Sequence, residues 1–501
     1  MTGTCWMYLL FIVATSFFTY FFNYGNPTNV FWDEPYHIAS AQKYLSGTFF
    51  MEQHPPLGKL LIALGEKLTH ANTAEADSTF IGTDYATGFP PNFSFVGYRL
   101  FPTLLAWLTA PLLFLIFLLI TRNGSLSSLL SFLYIFDNAL IVHSRGAMID
   151  STLIFFSVAM MLFAILLLGG RRNENMGTAL FVLFSAAFGM LFAFTLTTKL
   201  VGLIMIILSL PILYRLYPNR NRIGIFLLAS GVSFLVTFVA VWQIHFSLAT
   251  KINPALNTNG YYHASDQYKR WLAEKKTSSP SSFPIMLRDS LDYVSYYNRG
   301  VPRLDLCKPD ENGSPFFFWP FGARSINYRW EQVNDTTYRY LYLQANPVVW
   351  ALALFGVVVG FVLLLCPLIF PFRRKVRHRL LLATFLLMYV GYMGAISRLD
   401  RVMYLYHYFL PLVFSFVLFG IVVDNIDSVG RYRITENAKI LALSILGLLI
   451  FAGYELYHPL TYYEPITDAH VSRLAIFPLW DLHCVKCQNK SLLVAPRSGA
   501  N

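Results

Sequence analysis

The sequence predicts an all-α integral membrane protein: a bundle of about eleven transmembrane helices with two long loops on the outer face. Three observations lead there. Of the 501 residues, 55% are hydrophobic and only 13% are charged, about half the charge share of a soluble domain. Apolar blocks long enough to cross a hydrocarbon core of roughly 30 Å recur along nearly the whole chain. Basic residues gather in every second short loop, the asymmetry that orients membrane helices.

The blocks fall at residues 6–22, 100–120, 126–142, 149–168, 179–197, 200–214, 223–244, 347–369, 380–396, 404–423 and 440–457. The first has no basic leader and no small-residue cleavage site, so it reads as a retained helix. One alternating set of loops carries Arg122; Arg171 and Arg172; Arg215, Arg220 and Arg222; Arg373, Arg374, Lys375, Arg377 and Arg379; and Arg431 and Arg433. Assigning these to the cytoplasm puts the N-terminus inside and the C-terminus outside. The same set accounts for the net charge of +11 without a nucleic-acid partner.

Residues 1–457 form the membrane domain, with outer loops at 23–98 and 245–346, and 458–501 an outer tail. Loops of this length in a compact protein are usually functional or disordered. The aromatic run SPFFFWPFGARSINYRW favours an ordered cap. In the first loop, Pro35 suits the first turn of a helix running to about Leu45, with Gly47 to end it. HPPLGKLLIALGEKL starts a second helix, with Leu57, Leu60, Leu61 and Leu64 on one face. Lys59 and Lys67 are expected to keep their charges in the wet interface, so this helix lies on the membrane.

Five cysteines give no zinc pattern. Cys5 and Cys366 sit in apolar segments, Cys307 stands alone in a loop, and Cys484 with Cys487 form a lone CxxC. That pair lacks the second ligand pair of a metal site, which favours a local disulfide or two thiols.

Four groups of residues could carry chemistry. Asp33 and Glu34 follow the first helix at the outer boundary. On their own they read equally as a hydrated pair at a helix end. Arg99, Arg145, Lys199, Arg398 and Arg401 place cations at the same level. Each alone is an interfacial anchor, whereas several together suit the phosphate of a lipid. Asp137 lies inside an apolar block, where an ionisable residue is either functional or paired with a neighbouring helix. Asp150 is expected to pair with Arg145. RVMYLYHYF sets Tyr406, His407 and Tyr408 about two helical turns after Arg401.

These residues also carry a resemblance. FWDEPYHIASAQKYLSGTFFMEQHPPLGKLLIALGEKL resembles the first outer loop of the protein O-mannosyltransferase family, with its Asp-Glu pair and His-Pro-Pro-Leu motif. SRGAMIDSTLIFF, TKLVGL and RVMYLYHYFLPL resemble later family segments and keep family order. The resemblance implies a GT-C fold and an inverting transfer of mannose from polyprenyl-phosphate-mannose to Ser or Thr hydroxyls of proteins. It implies Asp33 and Glu34 as catalytic residues. His54, Arg99, Arg145, Asp150, Lys199, Arg401, Tyr406, His407 and Tyr408 are the expected substrate-binding residues. The partners it implies are the lipid-linked donor, membrane lipid and a secreted or membrane protein acceptor. No cofactor or metal ligand is expected, and a divalent-metal requirement is left open. The second loop is too short for the β-trefoil of eukaryotic members, so the chain resembles the bacterial branch, in the inner membrane with its site facing outward. Two other readings stay open: a transferase acting on a lipid or glycan, and a transporter. The absence of repeated halves and the boundary position of the charges count against transport.

Overall fold

The computed structural model describes residues 3–169, 176–252, 259–308, 311–369, 375–429 and 431–485. Among them, nine helices are long and apolar enough to span a membrane, from Gly3–Phe21 to Glu436–Leu456. Two of the eleven expected spans take another form. The block at 126–142 is a bent pair, Gly124–Ile135 and Asn138–Ser144, whose axes meet at 62°. The break falls at Asp137, whose carboxylate accepts from Leu140 N at 2.9 Å and so starts a new helix inside an apolar run. The block at 200–214 is a 3-10 stretch, Leu200–Leu208, followed by the short helix Ser209–Leu216. Together they form a shorter apolar helix, Leu200–Leu216, whose 3-10 part rises about 2.0 Å per residue.

The helix Leu405–Asn425 is the centre of the bundle, with 94% of its apolar window buried. It is flanked by Val96–Thr121, Pro347–Ile369 and Arg379–Ile396. Trp350 Nε1 donates to Asp137 Oδ2 at 2.8 Å, so Asp137 is held by both a cap and a neighbouring helix.

Both helices expected in the first outer loop form. Glu34–Ser46 has Pro35 in its first turn and ends at Gly47, whose φ of +77° is the left-handed conformation that glycine takes most readily. Leu57–Thr69 crosses Val96–Thr121 so closely that a Cβ at Gly65 would lie 2.3 Å from Gly97 O. Close backbone approach of this kind requires small residues. Lys59 departs from expectation. It is buried and hydrogen-bonded to Glu52 and to Ser40 Oγ, the latter at 3.2 Å. The Lys59 face of the helix is therefore packed between the loop and the bundle, while Leu64, Lys67 and Leu68 are exposed.

The second outer loop carries the helix Phe283–Gly300 and an antiparallel hairpin, β1 (Ile326–Gln332) and β2 (Thr337–Leu343), with Trp330 opposite Tyr340. A strand from the tail, Pro465–Thr467, pairs with β2. The hairpin and tail share a core of Tyr338, Tyr340, Tyr342, Tyr457 and Trp480. Cys5, Cys307 and Cys366 are not in disulfides, whereas Cys484 is disulfide-bonded. Cys487, Arg171, Arg172, Arg373 and Arg374 lie outside the described residues.

Candidate active site

Asp33 and Glu34 are neighbours with opposite surroundings. Glu34 and Arg99 are both fully buried. The Glu34 carboxylate accepts from Arg99 Nε at 2.6 Å, Arg99 Nη2 at 2.8 Å, Phe31 N at 3.0 Å and Ala147 N at 2.9 Å. Arg99 uses its remaining donors on the carbonyls of Gly25, Pro27 and Asn29. Its guanidinium also lies 4.8 Å from the rings of Phe31 and Phe95. The pair ties the start of the first loop to the Val96–Thr121 helix. Arg99 does not line the cavity described below.

Asp33 occupies the N-cap position of its helix without capping it, which frees the carboxylate. It is partly exposed and accepts from the Tyr406 hydroxyl at 3.2 Å. Trp32 supports it from a left-handed conformation, φ +50°, that a bulky residue rarely adopts. The Trp32 ring stacks on Tyr328 at 4.8 Å. Burial pushes the Asp33 carboxyl above its ordinary value, and the positive charge of Lys199 and the Tyr406 hydrogen bond only partly offset that.

Below Asp33 lies a polar cluster. Lys199 Nζ donates to Asp150 Oδ1 at 2.7 Å and Oδ2 at 2.9 Å. His143 Nε2 lies 3.1 Å from Asp150 Oδ2, and His143 Nδ1 lies 2.6 Å from the Tyr328 hydroxyl. The His143 ring stacks on Tyr406 at 4.8 Å, and Lys199 Nζ sits 5.7 Å from the centre of the Tyr406 ring. Asp150 thus pairs with Lys199 and His143. Arg145, its expected partner, turns away and donates to the carbonyls of Phe22 and Asn23 at 3.1 and 2.6 Å.

A cavity of about 110 Å³ opens beside this cluster. Six expected substrate-binding residues line it: His54, Asp150, Lys199, Arg401, Tyr406 and His407. Leu153, Leu200, Val201, Leu399 and Leu410 supply an apolar side. Arg401 is held by Asn298 of the second-loop helix, and its Nε is buried without a partner. Among the described residues no carboxylate lies within ion-pair distance of it, so Arg401 keeps unspent donors at the cavity wall. Burial and the charges of Lys199 and Lys59 hold His54 well below its ordinary value. His54 is therefore a neutral hydrogen-bonding group at neutral pH. Tyr408 points elsewhere, to the Tyr389 hydroxyl at 3.0 Å. Among the described residues no group of three or more His, Cys, Asp or Glu side chains could hold a metal.

The sequence reading missed His143 and Tyr328. His143 directly follows the apolar block 126–142 that holds Asp137, so an ionisable residue at that membrane boundary was a usable signal. Tyr328 had none, as one tyrosine in an aromatic-rich strand.

Two family models cover most of the chain. One, described as dolichyl-phosphate-mannose-protein mannosyltransferase, matches residues 10–246. The other, the C-terminal four-transmembrane region of protein O-mannosyltransferase, matches 299–480. The chain is 34% identical over 159 residues to dolichyl-phosphate-mannose–protein mannosyltransferase 1 of Candida albicans, a stretch covering 32% of this chain and 17% of that protein. It is also 34% identical over 153 residues to mannosyltransferase 4 of Schizosaccharomyces pombe, covering 30% of this chain and 19% of that protein. The matched part is thus less than a fifth of the length of these curated relatives. Among solved structures, the S. cerevisiae protein O-mannosyltransferase Pmt1–Pmt2 complex bound to the sugar donor aligns over 96% of this chain and 93% of that one. The TM-score is 0.77 at 15% identity, a likeness of fold. The protein has the GT-C membrane fold, and with both models matched in order along one bundle it belongs to the protein O-mannosyltransferase family.

Proposed function

We infer that the protein transfers mannose from polyprenyl-phosphate-mannose to Ser or Thr hydroxyls of proteins, with inversion, at the outer face of the membrane. The observation that carries this reading is the juxtaposition of a free carboxylate, Asp33, with a cation-lined pocket whose other side is apolar. The Tyr406 hydroxyl, which lines the pocket and bonds Asp33, joins the two.

Arg401, with Lys199 beside it, binds the donor phosphate, and the lipid chain leaves along the apolar wall. The acceptor hydroxyl reaches Asp33 through a smaller adjoining cleft lined by Tyr36, Glu52, Gln53 and Tyr297. Asp33 takes the hydroxyl proton as the oxygen attacks the anomeric carbon. The bond from that carbon to the phosphate oxygen breaks, and the phosphate leaves with the electron pair. Fixed cations stabilise its growing charge without proton transfer. Attack opposite the leaving group inverts the anomeric centre. Glu34 and Arg99 act by holding the Asp33 loop.

The outer-face assignment rests on charge asymmetry across the bundle. Tyr406 sits at one end of Leu405–Asn425, while Arg377 pairs with Asp424 and Asp427 at the other. A helix of this length separates its ends by roughly 30 Å, so the basic cytoplasmic loops and the site lie at opposite boundaries.

The test supplies purified full-length protein with polyprenyl-phosphate-mannose and a panel of Ser/Thr peptides, lipids and glycans. Mass analysis and mannosidase sensitivity report the product. A peptide carrying one hexose of inverted configuration is expected. Transfer to lipid or glycan alone would overturn the protein acceptor, and retained configuration would overturn the single displacement.

A further inference from the structure

A second cavity, of about 530 Å³, shares no lining residue with the donor pocket. Its walls are Phe18 and Phe22 at the end of the first span, the polar stretch 23–29, Glu331 and Arg339 of the hairpin, and the segment from Tyr454 to Pro465. Phe18 and Phe22 are 62% and 57% exposed. They stand where the first span meets the loop, and Tyr454 stands where the last span ends. A polar chamber with an apolar lip therefore opens at the depth of lipid headgroups.

Its inner wall holds Arg145, only 4% exposed. Besides the carbonyls of Phe22 and Asn23, Arg145 Nη1 reaches Thr19 O at 3.4 Å, and the guanidinium stacks 4.7 Å from the Tyr462 ring. Among the described residues no carboxylate comes within ion-pair distance of it, and its Nη1 and Nη2 donate to backbone carbonyls. Carbonyl dipoles relieve part of the cost of burying this charge, but they supply no counter-ion. The carboxylates of this cavity lie nearer its mouth. Glu331 pairs with Arg339 at 2.8 Å and Glu464 with His458 at 3.2 Å. The cation is therefore buried at the inner wall, and the carboxylates, 33% and 48% exposed, stand nearer solvent.

We propose that this cavity binds the headgroup of a phospholipid bearing a primary ammonium, with its phosphate against Arg145 and its ammonium at Glu331 and Glu464. The acyl chains leave over Phe18 and Phe22. A primary ammonium offers three hydrogen bonds to the two carboxylates. A trimethylated one offers none. The bound lipid supplies the missing counter-ion and fastens the first helix to the tail. This site stands independently of the transfer reaction.

The full-length protein, stripped of lipid in detergent, is titrated with dioleoyl-phosphatidylethanolamine, dioleoyl-phosphatidylglycerol or soluble glycerophosphoethanolamine, and bound molecules are counted by native mass spectrometry. Phosphatidylethanolamine should saturate at a single tight site, with the other two weaker by about tenfold or more. Arg145→Gln should abolish that site. Because Arg145 also ties down the first helix, a Glu331→Gln/Glu464→Gln variant at the rim gives a second test. It should still bind phospholipid but lose the preference for ethanolamine over glycerol headgroups. Equal binding of the two lipids by the wild type would overturn the proposal. So would an unchanged preference in the rim variant, or glycerophosphoethanolamine binding as tightly as the lipid.

Discussion

Replacing Glu34 with Gln removes one charge from a pair that has no access to solvent. The carboxylate accepts four hydrogen bonds, two on each oxygen: Arg99 Nε and Ala147 N on Oε1, Arg99 Nη2 and Phe31 N on Oε2. A Gln amide can satisfy only one of these pairs. Its NH₂ group must face the other, donor against donor. Arg99 then stays buried with carbonyls but no counter-charge. Removing one partner of a buried ion pair costs about 3–5 kcal/mol, and the two bonds that Gln keeps put this variant near the lower end. Arg99→Gln should cost a similar amount. The double variant leaves no lone charge, so its loss should fall short of the sum by about 1–3 kcal/mol. Unfolding of the full chain in detergent, followed by tryptophan fluorescence, gives the stabilities, and turnover per folded molecule is measured alongside. Turnover should fall with stability, because Phe31 and Ala147 anchor the turn that presents Asp33. A Glu34→Gln protein with wild-type stability and no turnover would refute the structural role and return Glu34 to the chemistry.

Asp33→Asn should lower turnover by about 10²–10⁴-fold while stability and donor binding hold; turnover assays beside donor titration check this, and near-normal turnover would remove Asp33 as the base. The base works ionised, and burial raises its pKa. Activity should therefore be lost as pH falls through a value above about 4, and Tyr406→Phe, which deletes a bond favouring the carboxylate, should move that acidic limb of kcat/KM to higher pH. Arg401→Ala should weaken donor binding by about tenfold or more, measured by titration with the lipid-linked sugar, and unchanged affinity would exclude it as the phosphate ligand. In a background with Cys5, Cys307 and Cys366 replaced by Ser, a membrane-impermeant maleimide should label Asn334→Cys in sealed cells but not Arg433→Cys, and the reverse pattern would invert the topology.

Much of the fold was legible because it follows from periodicity. Leu57, Leu60, Leu61 and Leu64 share a face whatever they pack against, and Pro35 and Gly47 bracket a helix through local backbone preference. What failed depended on which partners the polar side chains find, near or far in sequence. Counting apolar residues treats 126–142 as one span, because hydropathy cannot register that Asp137 takes Leu140 N as a cap and Trp350 Nε1 as a second donor. Lys59 looked interfacial because its partner Glu52 belongs to a loop that folds back over it. The same limit governs the cations. Arg99 and Arg401 look alike in sequence, each at an expected outer boundary with aromatics nearby. What separates them is how their donors are spent. Arg99 spends them on Glu34, 65 residues away, and on three carbonyls. Arg401 has one hydrogen bond, to Asn298, and a buried Nε facing no protein acceptor. A guanidinium carries five donors, and one that has used them cannot bind phosphate without unmaking the contacts that bury it. The test for a ligand-binding arginine is therefore the count of donors left over, a quantity set by the tertiary fold.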